Sequence, residues 1–303
     1  MSSLQPPALP VRSAALGPVK RAVARAAFRT RLFQVADGRG MTLDLGSASG
    51  ESAAILASEL RWLAVDAPTL QRVVRGLAVS GALDRILDDL AGRDRELRLR
   101  SVRLAGVLRI EAAAPWLEPL LASSQPRLRG AAARALGRIG GVRAADALVR
   151  GLGWRRGSTA RLVMELARAA PDLYLEDRMA DARYRRVRAS LVLAAGLRKR
   201  RTSLPVLLEL LEKGSRTERA MSARAIGWIG CQDAGAPLVY ALTDPEWQVR
   251  SAAVKALGGL RGVGEDELSF SLLDRSPRVR QATAHALRRR HPRTRRQGGP
   301  LWR

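Results

Sequence analysis

Pro245-Glu-Trp-Gln-Val-Arg-Ser-Ala-Ala-Val-Lys-Ala-Leu-Gly258 is one of three clear copies of a single phrase. The others are Pro126-Arg-Leu-Arg-Gly-Ala-Ala-Ala-Arg-Ala-Leu-Gly137 and Pro277-Arg-Val-Arg-Gln-Ala-Thr-Ala-His-Ala-Leu287. They reduce to [Asp/Ser]-x-x-x-[Leu/Val]-Arg-x-x-Ala-x-x-Ala-Leu-Gly, give or take a residue. Weaker copies centre on Arg98, Arg188 and Arg219. The arginine of the phrase therefore falls at 98, 129, 188, 219, 250 and 280, in steps of 31, 59, 31, 31 and 30. The doubled step hides one eroded unit near residues 158–161. A fixed period of roughly 30 residues is the mark of a helical-hairpin array.

Within each unit, Ala and Leu return at three- and four-residue spacing, which makes one apolar stripe on a helix. Pro126, Pro245 and Pro277 stand where a first-turn proline removes no intrahelical hydrogen bond. Gly137, Gly140, Gly227, Gly230 and Gly258 read as stops in a left-handed conformation. A second helix follows, as over 144–152, 204–211 and 234–242, with Pro205 and Pro237 in its first turn. One hairpin cannot bury its stripe alone, so the array is stable only as a stack. The expected fold is all-α, an α-solenoid of antiparallel helical hairpins.

Over residues 94–290 the units resemble HEAT repeats of the short, bilin-lyase-like class, about seven hairpins at this period. The resemblance implies an ARM/HEAT-type right-handed superhelix. It also implies that the repeat arginine pairs with a loop aspartate of its own or an adjacent unit. Asp94/Arg98, Asp244/Arg250 and Asp274/Arg280 preserve such pairs. Arg98, Arg129, Arg188, Arg219, Arg250 and Arg280, with Asp94, Asp244 and Asp274, would then form a structural ladder. The class hosts scaffolds, chaperone-like lyases and a few enzymes, so the fold alone assigns no activity.

Composition agrees with close-packed helices: 47% of the 303 residues are apolar, mostly Ala and Leu, and aromatics are 4%. The net charge is +25, from 53 basic and 28 acidic residues. Lysine occurs only at 20, 199, 213 and 255; the other basic residues are arginine, a preference that a GC-rich coding sequence alone would produce. The charge itself implies attraction to polyanions: nucleic acid, anionic lipid or an acidic protein. Cys231 is the single cysteine, so no intrachain disulfide can form. No apolar run approaches the roughly 18 residues of a membrane span, and the N-terminus lacks a secretory core. A cytoplasmic protein is the expectation.

Four segments are expected: 1–40, 41–93, 94–290 and 291–303. Residues 1–17 carry Pro6, Pro7 and Pro10 and read as disordered. A basic amphipathic helix follows over 18–36, with Val19, Ala22, Val23, Ala26, Ala27, Thr30 and Phe33 on its apolar face. That helix reads first as a cap over the first hairpin and second as a membrane-surface or partner contact. Helical periodicity at 51–62, 68–79 and 82–90 suggests diverged hairpins. From Arg288 onward the tail is basic, with no acid, and reads as solvated and mobile.

Catalytic, metal and cofactor sites are not expected. The histidines are His285 and His291 and no Cys/His pair has ligand spacing. Deoxyhypusine hydroxylases, a HEAT-type family, build a di-iron site from His-Glu dipeptides, and this sequence has none. Gly46-Ser47-Ala48-Ser49-Gly50 is off register for a nucleophile elbow and reads as a helix N-cap loop. A candidate partner-binding patch gathers Trp154, Arg155, Arg156, Arg183, Arg185, Arg186, Arg198, Lys199, Arg200 and Arg201, where basic side chains flank an aromatic beside the most eroded unit.

Two functions compete. A non-enzymatic scaffold would grip a protein or assembly on a concave face made by the second helix of each unit. A nucleic-acid-binding protein would use the basic patch; a HEAT-like DNA glycosylase is one form of it, with Asp181, Trp154 and Arg183 as the available trio. Bilin-lyase-like chaperone activity rests on the repeat resemblance alone.

Overall fold

The computed structural model describes residues 16–45, 50–62, 66–154, 158–260 and 265–290, and among these every regular element is a helix. The expectations for residues 1–15, the 46–49 loop, Arg155, Arg156 and the 291–303 tail lie outside the described residues. The chain divides into two compact units, Met1–Trp116 and Leu117–Arg303.

The first unit holds α1 (Leu16–Ala36), α2 (Gly50–Trp62), α3 (Ala67–Val79), α4 (Ala82–Ala91) and α5 (Arg95–Val107). α1 begins at Leu16, so residues 16 and 17 belong to the helix and Pro18 sits in its first turn. α1 packs on α2 and α3. The stripe it buries is Phe28, Leu32, Val35 and Ala36, whereas Val23 and Phe33 stay exposed. The expected apolar face was therefore rotated. Leu32 and Val35 meet α3 because the Gly76 side lacks a Cβ, and one added there would lie 3.0 Å from Val35. Arg72 Nε donates to the Ala36 carbonyl at 2.7 Å, closing the C-terminus of α1. α3 opens on Asp66, whose carboxylate accepts from the Thr69 N–H.

α6 (Ala114–Leu117) lies at the junction of the two units. In the second unit the helices alternate between two layers. The first helices of the hairpins are α7 (Pro126–Ile139), α9 (Thr159–Ala169), α11 (Arg188–Arg198), α13 (Arg216–Ile229), α15 (Trp247–Leu257) and α17 (Pro277–Arg290). The second helices are α8 (Gly141–Gly153), α10 (Tyr174–Ala180), α12 (Leu204–Lys213), α14 (Gly235–Tyr240) and α16 (Glu265–Phe270). α9 fills the doubled step: the eroded unit is a real hairpin, capped by Ser158 and stacked between α7 and α11.

Each first helix packs along the next, whereas the second helices touch one another little. The reason is side-chain size. A Cβ placed on Gly196 would lie 2.6 Å from Ala225 Cβ, one on Gly227 2.7 Å from Ala256 Cβ, and one on Gly258 2.7 Å from Ala286 Cβ. Glycine against alanine lets these backbones approach closely. The second layer splays instead, and a groove of about 970 Å³ opens between α12 and α14, lined by Leu208, Glu209, Glu212, Pro237 and Tyr240. The first helices therefore form the close-packed layer of this unit, whose exposed side is taken as its inner face, and the second helices form the splayed, outer layer.

Two further expectations change. Of the five glycines read as left-handed stops, Gly140 and Gly230 have φ of +72° and +73°. Gly137, Gly227 and Gly258 have no positive φ and serve the interhelical contact, Gly137 lying against Glu165. Pro126 and Pro277 open their helices, but Pro245 precedes α15, whose N-cap is Glu246. α13 starts with a reciprocal capping box: Ser215 Oγ accepts from the Glu218 N–H, and the Glu218 carboxylate accepts from the Ser215 N–H at 2.8 Å.

Candidate binding face

The repeat arginines share one role. Each guanidinium turns back and donates to a carbonyl of the segment just before its own helix, a loop carbonyl or, for Arg98, the last of α4: Arg98 to Ala91, Arg129 to Ser123, Arg188 to Asp181, Arg219 to Gly214, Arg250 to Asp244 and Pro245, Arg280 to Asp274 and Arg275. Where the next loop offers a carboxylate, the same guanidinium also crosses to it. Arg219 meets Asp244 with bonds of 2.8 and 3.0 Å, and Arg250 meets Asp274 at 2.7 and 2.8 Å. Arg188 reaches Glu218 at 3.2 Å.

The ladder thus runs from each arginine to the following unit. The own-unit pairings Asp244/Arg250 and Asp274/Arg280 exist only through the aspartate backbone carbonyls. Asp94 likewise caps α5 through the Glu96 and Leu97 N–H groups and leaves Arg98 to Ala91. Loop geometry explains this, because the Asp244 and Asp274 carboxylates also accept from the N–H two residues on, at 2.8 and 2.7 Å, and so face the preceding hairpin.

The Arg250 hydrogen bonds, assisted by the Ser276 N–H and opposed by burial, hold the Asp274 carboxyl below its ordinary value. A carboxyl depressed in the folded state contributes stability that is complete above its unfolded pKa, about 4, and is lost as pH falls through the lower folded value. Urea midpoints should accordingly drop on acidification below about pH 4. Asp274→Asn should be less stable at neutral pH and show a flatter acid limb; an unchanged limb would remove Asp274 from the ladder.

Around α11 the described residues of the candidate patch fall in two groups. Arg183, Arg185 and Arg186 precede α11, while Arg198, Lys199, Arg200 and Arg201 follow its body, roughly 16 Å away at 1.5 Å per residue. Arg198 turns inward and closes the end of α9 by donating to Ala170 and Pro171, and both Arg198 and Arg200 pair with Asp172. Arg183 pairs with Asp181 at 2.6 Å, and Trp154 caps α8. The Asp181 carboxylate is occupied by the N–H and guanidinium of Arg183. Lys199, held at φ +54°, stays exposed.

The inner face carries a different set. Arg134, Arg224, Lys255 and His285 occupy the same place in four copies of the phrase and all are exposed. The six first helices contain only two acids, Glu165 and Glu218. Both are buried, paired to Arg168 and Arg188. Acids concentrate on the second helices instead, as Asp146, Glu176, Asp177, Glu209, Glu212, Asp266 and Glu267. At one end of the inner face a pocket of about 420 Å³ is lined by Arg127, Arg129, Arg134 and Arg161 with no carboxylate. A Cβ on Gly130 would be 3.5 Å from Arg134 Nη1 and 3.6 Å from Arg161 Nη1, so two guanidinium groups from neighbouring helices converge over that glycine. Toward the other end lies a groove of about 660 Å³, whose lining includes Lys199, Arg224, Trp228, Trp247, Lys255 and Arg289.

Cys231 is buried, its thiol 3.3 Å from Asp233 Oδ2. No helix among the described residues is long and apolar enough to cross a membrane.

A stack of short hairpins tied by an arginine ladder is a helical-repeat architecture. The sequence model for HEAT repeats matches residues 83–167 and 174–258, more than half of the chain, and the chain belongs to the HEAT-repeat family. No curated protein matches it. Among solved structures, a designed armadillo repeat protein is similar over 68% of this chain and 98% of its own, at 16% identity and a TM-score of 0.36. Human deoxyhypusine hydroxylase in complex with glycerol is similar over 91% and 100%, at 17% identity and a TM-score of 0.36.

Proposed function

We propose that this chain is a non-catalytic scaffold that holds an extended, acidic partner against the first-helix face of its second unit. One observation carries the reading: the two layers of that unit differ in charge, with every exposed charge of the first helices basic and the acids gathered on the second. A field of one sign over a long surface attracts partners that present a run of the other. The wedge between second helices, by contrast, is of mixed charge, with Glu209 and Glu212 beside Lys213, and attracts them less. The arginine ladder is consumed in holding hairpins together and does not serve the partner. α1 is proposed as a cap on the first unit, since its buried stripe faces α2 and α3.

Two charge-reversal pairs test this with polyglutamate and oligothymidylate as probes. Arg134→Glu with Lys255→Glu alters the inner layer; Arg143→Glu with Lys213→Glu makes the same net change on the outer. The inner pair should weaken binding at least about ten-fold and flatten its salt dependence, and the outer pair should do much less. Equal losses from both pairs would contradict the reading.

A further inference from the structure

We infer that the groove formed by α13, α15 and α17 is a binding site for single-stranded nucleic acid, an inference that rests on the scaffold reading above. The groove is about 660 Å³ and is lined by Lys199, Arg224, Lys255, His285 and Arg289, with no carboxylate in its wall. Lys199, Arg224, Lys255 and Arg289 come from four successive units, so a strand lying across the helices would meet one from each.

Charge alone would serve an acidic peptide equally well. The aromatic groups decide between them. Aromatic residues are only 4% of the chain, yet Trp228 and Trp247 both line this groove, and each is half-buried. The Arg224 guanidinium lies 5.2 Å from the Trp228 ring and the Arg278 guanidinium 4.6 Å from the Trp247 ring. A carboxylate chain gains little from an indole, whereas every nucleobase has a face that stacks on one, and a neighbouring guanidinium strengthens the platform. The small residues Gly227, Ser251, Ala252 and Ala256 line the groove as well. Gln248 lines the same wall. A duplex hides its base faces, so indole platforms favour a single strand.

The full chain would be titrated with a fluorescein-labelled oligothymidylate of about 20 nucleotides, long enough to exceed the site sizes of roughly 4–16 nucleotides seen for single-strand-binding folds. Parallel titrations use the same length of duplex and polyglutamate. Expected are tightest binding to the single strand, quenching of indole fluorescence on saturation, and log K falling linearly with log salt. Trp228→Ala and Trp247→Ala should each weaken the single-strand complex about ten-fold, Trp228→Phe should restore most of the loss, and neither should alter polyglutamate binding. Lys255→Glu should lower affinity and reduce the salt slope by about one or more. Circular dichroism of each variant separates loss of the platform from loss of fold, and quenching in the unmodified chain needs no variant. If polyglutamate binds as tightly as the oligonucleotide, or the alanine variants and the fluorescence are indifferent to it, the nucleic-acid site is wrong while the scaffold reading stands. Tighter binding to duplex without quenching also overturns it. Binding of neither probe overturns both.

Discussion

Arg250→Met is expected to lower the unfolding free energy by about 3–5 kcal/mol, the cost of leaving one partner of a buried pair alone. Arg250 is 5% exposed and its guanidinium satisfies four acceptors: both Asp274 oxygens and the Asp244 and Pro245 carbonyls. Removing it strands a carboxylate between two hairpins and two carbonyls at the start of α15. Arg250→Lys should fail nearly as badly, because a point ammonium cannot make a bidentate pair and reach the loop together. The double variant Arg250→Met with Asp274→Leu should recover much of the loss, since no charge then remains buried. In a stack whose units contact only neighbours, destabilisation should be local, with the last two hairpins opening first. Urea denaturation with the full double-mutant cycle measures the coupling. Additive single losses would mean that the ladder is an accident of proximity.

Gly227→Ala is expected to destabilise by about 1–3 kcal/mol, against the usual gain of about 1 kcal/mol for Gly to Ala in an exposed helix. The added methyl would sit 2.7 Å from both Cα and Cβ of Ala256, and backbone cannot swing aside as a side chain can. α13 and α15 would have to separate, opening the seam on both sides. Gly196→Ala should behave alike against Ala225, whose Cβ and Cα would be 2.6 and 2.7 Å away. Gly153→Ala is the control, because nothing lies within 4 Å of its Cβ position. It should be neutral or slightly stabilising by thermal melting. A stable Gly227→Ala would show that the first helices are not in close contact.

These glycines also show where sequence reading reaches its limit. A Gly after Ala-Leu satisfies two demands, a helix stop and a close helix crossing, and the one-dimensional pattern is the same for both. Only Gly140 and Gly230 have the positive φ that the first demand requires. The period itself was legible because a repeated stripe must be buried by its neighbours, and the hairpin in the doubled step follows from the same spacing. Which layer packs more closely was not legible, since both helices of a hairpin are amphipathic and the spacing depends on the side chains that face each other between units. Nor was the fate of the Arg198–Arg201 run: Asp172, about a repeat away in sequence, pairs with Arg198 and Arg200, a contact that composition cannot reveal. The inner basic row did leave a trace. In four copies of the phrase the residue before Ala-Leu or Ala-Ile is Arg134, Arg224, Lys255 or His285, a variable position that is positive or protonatable each time. Comparing the variable positions, and not only the constant ones, finds it.

Native-state amide hydrogen exchange across the second unit tests the central claim most directly, namely that the first helices form the close-packed inner seam. The slowest-exchanging amides are predicted in α11, α13 and α15, with α14 and α16 opening at much lower free energy. If α12, α14 and α16 were the best protected and the first helices exchanged quickly, the close-packed and splayed layers would be exchanged and the account contradicted.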